Sequence, residues 1–400
     1  MSSSTQVAII TIPESTYGVT PTLGAAVTAQ AGRFTSESLS GTPTTTESAE
    51  MRTDRMSGGQ VVTGLEVGGS INFELSPEPW YAELFRMGMM QGAWTAATTA
   101  IAGATFTPDA LDKQKGVIVA TGVTGIKPGD VVQITPATGN PVTFVVTSVA
   151  APNVTVVSQR DQAAVTGSFA RPAFVDIGAA TQSMTVGKSY KDVTHLATTE
   201  EHSQTYSGMV VSGFNVQMSN GAIVTGSFEM SGNGYKQEHP SLRQQLTTAG
   251  GTVTPAGTNK PLNASFDAPV IGFDNKPTNW CLTSWSLTLD NGLTPQNCIG
   301  HQAPRRYELG TAAITVDASL YLSDTSYDEF MARKLDQQAS AITLVTRDAN
   351  GGFAFALSAV QWTFPDPSAS GANQPVMIEA KGVAKVGATG ESALRIYKFF

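Results

Sequence analysis

The chain has 400 residues, a formal net charge of −8, 14% charged residues and 41% hydrophobic ones. That length exceeds what one core usually serves and suggests two or three domains. The acidic balance disfavours gripping nucleic-acid phosphates, though DNA could still slide past such a surface, and the periodic apolar runs exclude a disordered chain.

The opening residues, MSSSTQVAIITIPE, lack a basic segment and hold only a short apolar stretch. Neither a signal peptide nor a membrane span is expected, so no membrane insertion. Residues 1–30 contain Pro13, Gly18, Pro21 and Gly24 without sustained periodicity, and read as an extended arm packed on something else. Residues 33–39 are a strand candidate. Residues 41–59 (GTPTTTESAEMRTDRMSGG) read as a long polar loop, a length that usually carries a function.

Residues 60–75 resume as strand. Ile71, Phe73 and Leu75 share one face, and Ser70, Asn72 and Glu74 the other. Ser76 is placed to cap a helix with Pro77 at its first position and Trp80, Leu84 and Phe85 as its apolar stripe. Residues 105–172 interrupt this pattern as short strands between turns, and read as an inserted small β-barrel or sandwich. Residues 207–231 then read as a hairpin: Phe214, Val216 and Met218 alternate with Asn215 and Gln217 before a turn at Ser219-Asn-Gly221.

The same order returns. Strands Asn72-Phe73-Glu74-Leu75-Ser76 and Ser319-Leu320-Tyr321-Leu322-Ser323 align without gaps, and Tyr81, Glu83, Leu84 and Phe85 match Tyr327, Glu329, Phe330 and Met331. Ser326 and Glu329 form a candidate capping box, with Tyr327, Phe330, Met331 and Leu335 as stripe. Both halves read as strand, long loop, strand, helix and later hairpin. The expected fold is therefore mainly β: two tandem sandwich domains, each with a flanking helix, plus the inserted β domain. The boundaries are 1–30 for the arm, 31–104 with 173–250 for the first domain, 105–172 for the insert and 251–400 for the second.

Chemistry is sparse. Gly187-Lys188-Ser189 lacks the upstream glycine of a phosphate loop, since Gln182 stands there. No serine has glycines two residues away on both sides. His195 and His202 would need a third ligand to hold a metal, and read as exposed polar residues. Asp324, Asp328 and Glu329 lack calcium-loop spacing. Cys281 and Cys298 read as two semi-buried thiols, and synthesis in a reducing cytoplasm is expected. No enzyme activity, cofactor or metal is expected. Arg305 and Arg306 lie in the second long loop as Arg52 and Arg55 lie in the first. They read either as solvated charge or, with Glu47, Glu50 and Asp54, as docking charges between subunits.

Three stretches carry a resemblance: ESTYGVTP from Glu14 to Pro21; FTSESL from Phe34 to Leu39 with the following loop and its Arg52-Thr-Asp-Arg55; and VGGSINFEL from Val67 to Leu75. A weaker echo is GAIVTGSF from Gly221 to Phe228. Together, covering about half the chain, they resemble the major tail tube proteins of long-tailed phages. The resemblance implies β-sandwiches with a flanking helix that close into rings and stack as a tube, the long loop reaching the adjacent ring. It implies a virion tail protein, assembled in the host cytoplasm, with itself, the tape measure, terminator and distal tail proteins as partners. Double-stranded DNA would pass without specific binding. With two units per chain, a trimeric ring of pseudo-sixfold symmetry is expected, its channel lined by positions such as Asn72, Glu74, Asn215 and Gln217. The insert would decorate the exterior. The alternatives are a baseplate or decoration ring, or a virion adhesin whose insert binds carbohydrate. Solvent-facing aromatics would favour the adhesin, and the insert offers only Phe106, Phe144 and Phe169.

Overall fold

The computed structural model describes residues 4–400 except 52, 54, 55, 57, 159, 197, 269, 275, 278–280, 324–325, 329–332, 335–336, 368–370 and 389. The fold is mainly β. Its backbone is one run of antiparallel strands in the spatial order Ser40–Glu47, Gln60–Glu74, Thr225–Gly232, Glu201–Ser219, Leu282–Asp290, Ala313–Tyr321, Met377–Lys385 and Gly351–Thr363. Both expected units thus contribute to a single sheet, joined where Phe214 faces Leu289 and Val216 faces Leu287.

Alternation decides which side is covered. Ile71, Phe73, Phe214, Val216, Phe228, Leu287, Leu289, Val316, Leu320 and Ile378 are buried on one face and belong to one core. Helix α1 (Pro79–Gly88) packs there. Phe85 lies within 6.2 Å, centroid to centroid, of Phe73, Phe214, Phe228, Phe353 and Phe355, so one side chain ties residues from both halves together. Edge-to-face geometry adds about 0.5–1.5 kcal/mol per pair beyond burial.

The expected cap of α1 is displaced by two residues. Glu78 is the N-cap and Pro79 opens the helix. Ser76 is fully buried, and Glu78 is held by Arg33 at 3.6 Å and by the Asn259 N–H at 3.2 Å. Proline suits the first helical position because its missing N–H has no intrahelical partner there. In the second half the cap is instead earlier than expected. The Ser323 N–H donates to Ser326 Oγ and the Ser326 N–H to Ser323 Oγ, a reciprocal box starting at Ser323. Residues 326–328 and 333–334 are helical. Tyr327 is 49% exposed, against the expected apolar stripe. Glu329, Phe330, Met331 and Leu335 lie outside the described residues, as does Asp324.

The second layer corrects the N-terminal expectation. Val7–Pro13 is a strand antiparallel to Met184–Thr194 and joined by Thr28–Ala31. Ile9 enters the main core, whereas Ile10 and Ile12 pack under helix α2 (Leu242–Thr248). A short apolar run covered on both sides has no helical or alternating period, so it escapes a periodicity reading. Ser241 caps α2 with a capping box closed by Gln244.

The insert is a closed six-stranded barrel formed by Ile101–Pro108, Lys115–Val119, Val131–Pro136, Val142–Ala150, Asn153–Val157 and Val165–Ala170. It begins about four residues earlier than expected, since Thr105 and Phe106 need the full strand to pair with Val165–Ala170. Phe106, Phe144 and Phe169 are its core, fully buried, and offer no aromatic surface to a sugar. The barrel docks on the second half. Val131, Val145 and Val157 meet Val345, Ala354, Tyr397 and Phe399 on the outer face of the strands Ser340–Asp348, Gly351–Thr363 and Leu394–Lys398. The inner face of those strands closes the main core. Ala173–Asp176, expected in the first domain, pairs with Leu394–Lys398. Thr252–Thr254, expected in the second, pairs with Thr28–Ala31.

Asp130 is the polar anchor of that docking. Its carboxylate, in a residue 2% exposed, accepts from Arg395 Nη1 at 2.8 Å, the Tyr397 hydroxyl at 2.9 Å and the Lys127 N–H at 2.8 Å. Arg395 also grips Asp176 through both carboxylate oxygens, at 2.7 and 2.9 Å. Arg347 reaches from the second half to Gln133 and Thr143 of the barrel, and its burial pulls the guanidinium pKa down to about 10.

Strand Glu201–Ser219 belongs to both layers. Residues up to Met209 pair with Met184–Thr194, and those from Val210 onward with Thr225–Gly232. The corner is Gly208, at φ +63°, where a Cβ would lie 2.2 Å from Asn233 Oδ1. Glu14 fixes it. Its carboxylate accepts from the N–H groups of Gly18 and Gly208, both at 2.9 Å, and from the hydroxyls of Ser183 and Thr185, both at 2.7 Å. Removing an acceptor of several charge-assisted bonds is costly because the donors lose a partner. Glu14→Ala is expected to lower unfolding free energy by roughly 2–3 kcal/mol, measured by denaturant titration.

Candidate assembly surfaces

The uncovered face of the long sheet is a polar lattice. Asn72, Glu74, Asn215 and Gln217, expected on outward positions, all lie on it, together with Ser36, Ser38, Ser227, Ser286, Thr288, Thr315 and Ser319, which share their strand parity. The side chains bond across strands: Asn72 Nδ2 to Ser36 Oγ at 2.8 Å, Asn215 Nδ2 to Thr288 Oγ1 at 2.8 Å and Ser38 Oγ with Ser70 Oγ at 3.0 Å. Such pairs order a wet face without burying it. Its carboxylates include Glu74, Glu229, Asp290, Asp317 and Glu379, and its ammonium groups include Lys381 and Lys385. The face is therefore polar with an acidic bias.

The first long loop is shorter than expected. Ser40–Glu47 pairs with the first half of Gln60–Glu74 through the partners Gly41 with Val67 out to Glu47 with Gln60. The result is a two-stranded arm exposed on both faces, with the described residues between Glu47 and Gln60 at its tip. Threonine-rich strands with polar positions on both sides carry no period-2 signal, which is why the segment reads as loop. Val61 and Val62 on the arm are 60% and 55% exposed, and Met51 at the tip is fully exposed. Glu47 and Glu50 lie at the outer end of the arm, both exposed. Arg52, Asp54 and Arg55 lie outside the described residues.

The second long loop runs alongside. Thr294–Pro295 pairs with Tyr307–Glu308, the Leu65 N–H donates to Gln302 O at 2.6 Å, and the Tyr307 hydroxyl donates to Gly232 O at 3.1 Å. Burial, followed by the nearby Glu66 charge, raises the Tyr307 pKa. Arg306 donates through Nε to Glu308 at 2.7 Å, so its charge already has a partner within the loop, and Arg305 is exposed. Ile299 is fully exposed at the loop tip. The structure thus brings the two long loops together at one end of the sheet.

The remaining chemical candidates are structural. Lys188, in the rejected phosphate-loop string, sits within a strand and pairs with Glu37 at 2.6 Å. Helped by that partner against the cost of burial, its pKa is raised. The third histidine that sequence spacing could not supply is His239. It stacks on His195 at 3.6 Å, with His202 edge-on to both, and its Nδ1 is 3.1 Å from Glu200. Two parallel stacked rings do not aim both lone pairs at one ion, and among the described residues no group of three such side chains is arranged to hold a metal. His195 and His202 are half-buried rather than exposed, His239 is exposed, and Cys281 and Cys298, expected half-buried, are both exposed.

A wide polar sheet face, a two-stranded arm with exposed apolar side chains and apolar loop tips define a structural protein whose surfaces serve association. A family model described as phage tail tube protein matches residues 2–384. The chain belongs to that family: it is a structural component of a phage tail, and tail tube proteins assemble with themselves and with other tail proteins. A search of curated proteins returned no match. Among the described residues no helix is long and apolar enough to cross a membrane.

Replacing Val61 and Val62 by threonine should change monomer stability by less than about 0.5 kcal/mol, because both are already solvated. Sedimentation of the same variant should show weaker self-association than the wild type.

Proposed function

We propose that this chain polymerises into stacked rings that form the conduit for DNA ejection, with the polar sheet face lining the channel. The observation that carries the reading is the strand order of the long sheet. Its first four strands run hairpin arm, post-loop strand, return strand of the later hairpin, then outgoing strand of that hairpin. The last four repeat that order. We infer a duplicated tube unit, and hence three chains per ring with pseudo-sixfold symmetry.

Three further features support it. Duplex DNA carries one charge per roughly 1.7 Å of axis, so a channel that must not retain it should lack basic clusters, and the polar face has an acidic bias. The barrel packs on the outer strands, on the side away from that face, where it would decorate a tube without obstructing it. An isolated two-stranded hairpin is marginally stable in water, so the arm gains from contacts with the next ring, with Glu47, Glu50, Arg52, Asp54, Arg55 and Arg305 as docking charges. Assembly in the host cytoplasm, with the tape measure, terminator and distal tail proteins as neighbours, follows from this role.

Electron microscopy of purified tubes tests the ring: class averages with three identical units per ring are expected, and six would count against the duplication. Glu74→Lys should leave assembly intact but slow DNA ejection from reconstituted virions, because it places a cation against passing phosphates. Unchanged ejection kinetics would remove Glu74 from the channel wall.

A further inference from the structure

The junction between the two halves shows how one repeat meets the next, and it can be transferred to the open end of the sheet. Residues 36–46 pair on one side with Gln60–Glu74, and among the described residues no strand lies on their other side. Ser36 faces Asn72 as Ser284 faces Ser319, and Asn72 and Ser319 are matched positions of the repeat. Thr42 therefore corresponds to Asp290, Leu39 to Leu287 and Glu37 to Trp285. Likewise Thr225 faces Glu74 as Met377 faces Tyr321, which makes Glu229 equivalent to Lys381 and, through their own partners, Gly213 equivalent to Thr363. In the internal junction Gly213 lies opposite Asp290.

Two bonds fix the phase of that junction. The Asn291 N–H donates to Ser212 O and the Asn220 N–H to Thr283 O, both at 2.9 Å. Hydrogen-bonded pairs alternate with non-bonded ones in an antiparallel ladder. Val216 and Leu287 are hence a bonded pair, and the amide equivalent to that of Leu287 at the open edge is the Leu39 N–H. In the single chain this amide is already taken. It donates to Glu37 Oε2 at 2.9 Å, while Glu37 Oε1 pairs with Lys188 at 2.6 Å, and the Leu39 carbonyl accepts from the Tyr206 hydroxyl at 2.9 Å. Glu37 stands where the matched position holds Trp285, a core residue 2% exposed. Two positions past Gly41, Pro43 has no N–H to offer. An inward charge and a proline are two devices that keep an edge strand from pairing indiscriminately.

Resting on the ring reading above, we propose that a second copy of this chain closes the ring by laying its residues 359–366, the end of strand Gly351–Thr363 and the three residues after it, along residues 39–46, with Thr363 opposite Thr42 and Asp366 opposite Leu39. Glu37 acts as a latch that covers the Leu39 amide until that segment arrives. The latch keeps single chains soluble, and opening it exchanges one hydrogen bond for another, so ring closure costs little at this position.

Two measurements on the full chain test this. First, wild type, E37A and the shape-conserving E37Q are compared by hydrogen exchange before assembly and by light scattering during tube growth. E37A should speed exchange at Leu39 by about tenfold, as expected for losing a charge-assisted bond, and both variants should shorten the lag before growth several-fold. Variants with native circular dichroism and a wild-type lag would overturn the latch while leaving the tube reading intact. A wild type that forms no tubes would fail the tube reading and this proposal with it. Second, T42C/T363C in a C281S/C298S background should give intermolecular disulfides in oxidised tubes, since a non-bonded pair brings the side chains closest. Tubes that form without that cross-link would overturn the register.

Discussion

Strand Glu201–Ser219 runs through both layers of the sandwich, and the Glu14 carboxylate holds the corner where it changes sheet. Four donors converge on that carboxylate, two of them backbone amides at glycines. Gly208 is needed because the chain turns at positive φ with Asn233 pressed against it. Below the corner the strand carries the first half's second layer. Above it, the same strand meets Leu282–Asp290 and fuses the two halves into one sheet. The polar face, the arm and the barrel platform all take their positions from this strand.

Fusion also explains why the two halves do not form separate bodies. Phe85 sits among aromatic rings from both. Asn259, near the start of the expected second domain, accepts from Arg33 through its carbonyl and donates its side-chain amide to Pro77 O at 3.0 Å. The Asp130–Arg395–Asp176 network then fastens the barrel to the half that does not contain it in sequence. Buried ion pairs of this kind add little net stability but penalise any arrangement that leaves a charge unpaired. They hold the barrel in one orientation on the second half.

Much of this was legible in the residues. Alternation in 70–75 and 214–218 gave the covered and open faces of those strands. Asn72, Glu74, Asn215 and Gln217 were readable as outward because alternation is a local property. What escaped were features without a local period: the arm, polar on both sides, and the Val7–Pro13 strand, apolar on both sides. Helix starts slipped by two or three residues because Ser76 and Ser326 are good caps in isolation but are buried here in other hydrogen bonds.

Sequence alone determined the β class and the acidic balance, since each depends on composition or on neighbours a few residues apart. Tertiary structure alone decided that the halves share one sheet, that the barrel rests on the second half and that three histidines meet. Those depend on contacts between residues as far apart as Asp130 and Arg395 or Glu14 and Gly208, which no local pattern encodes.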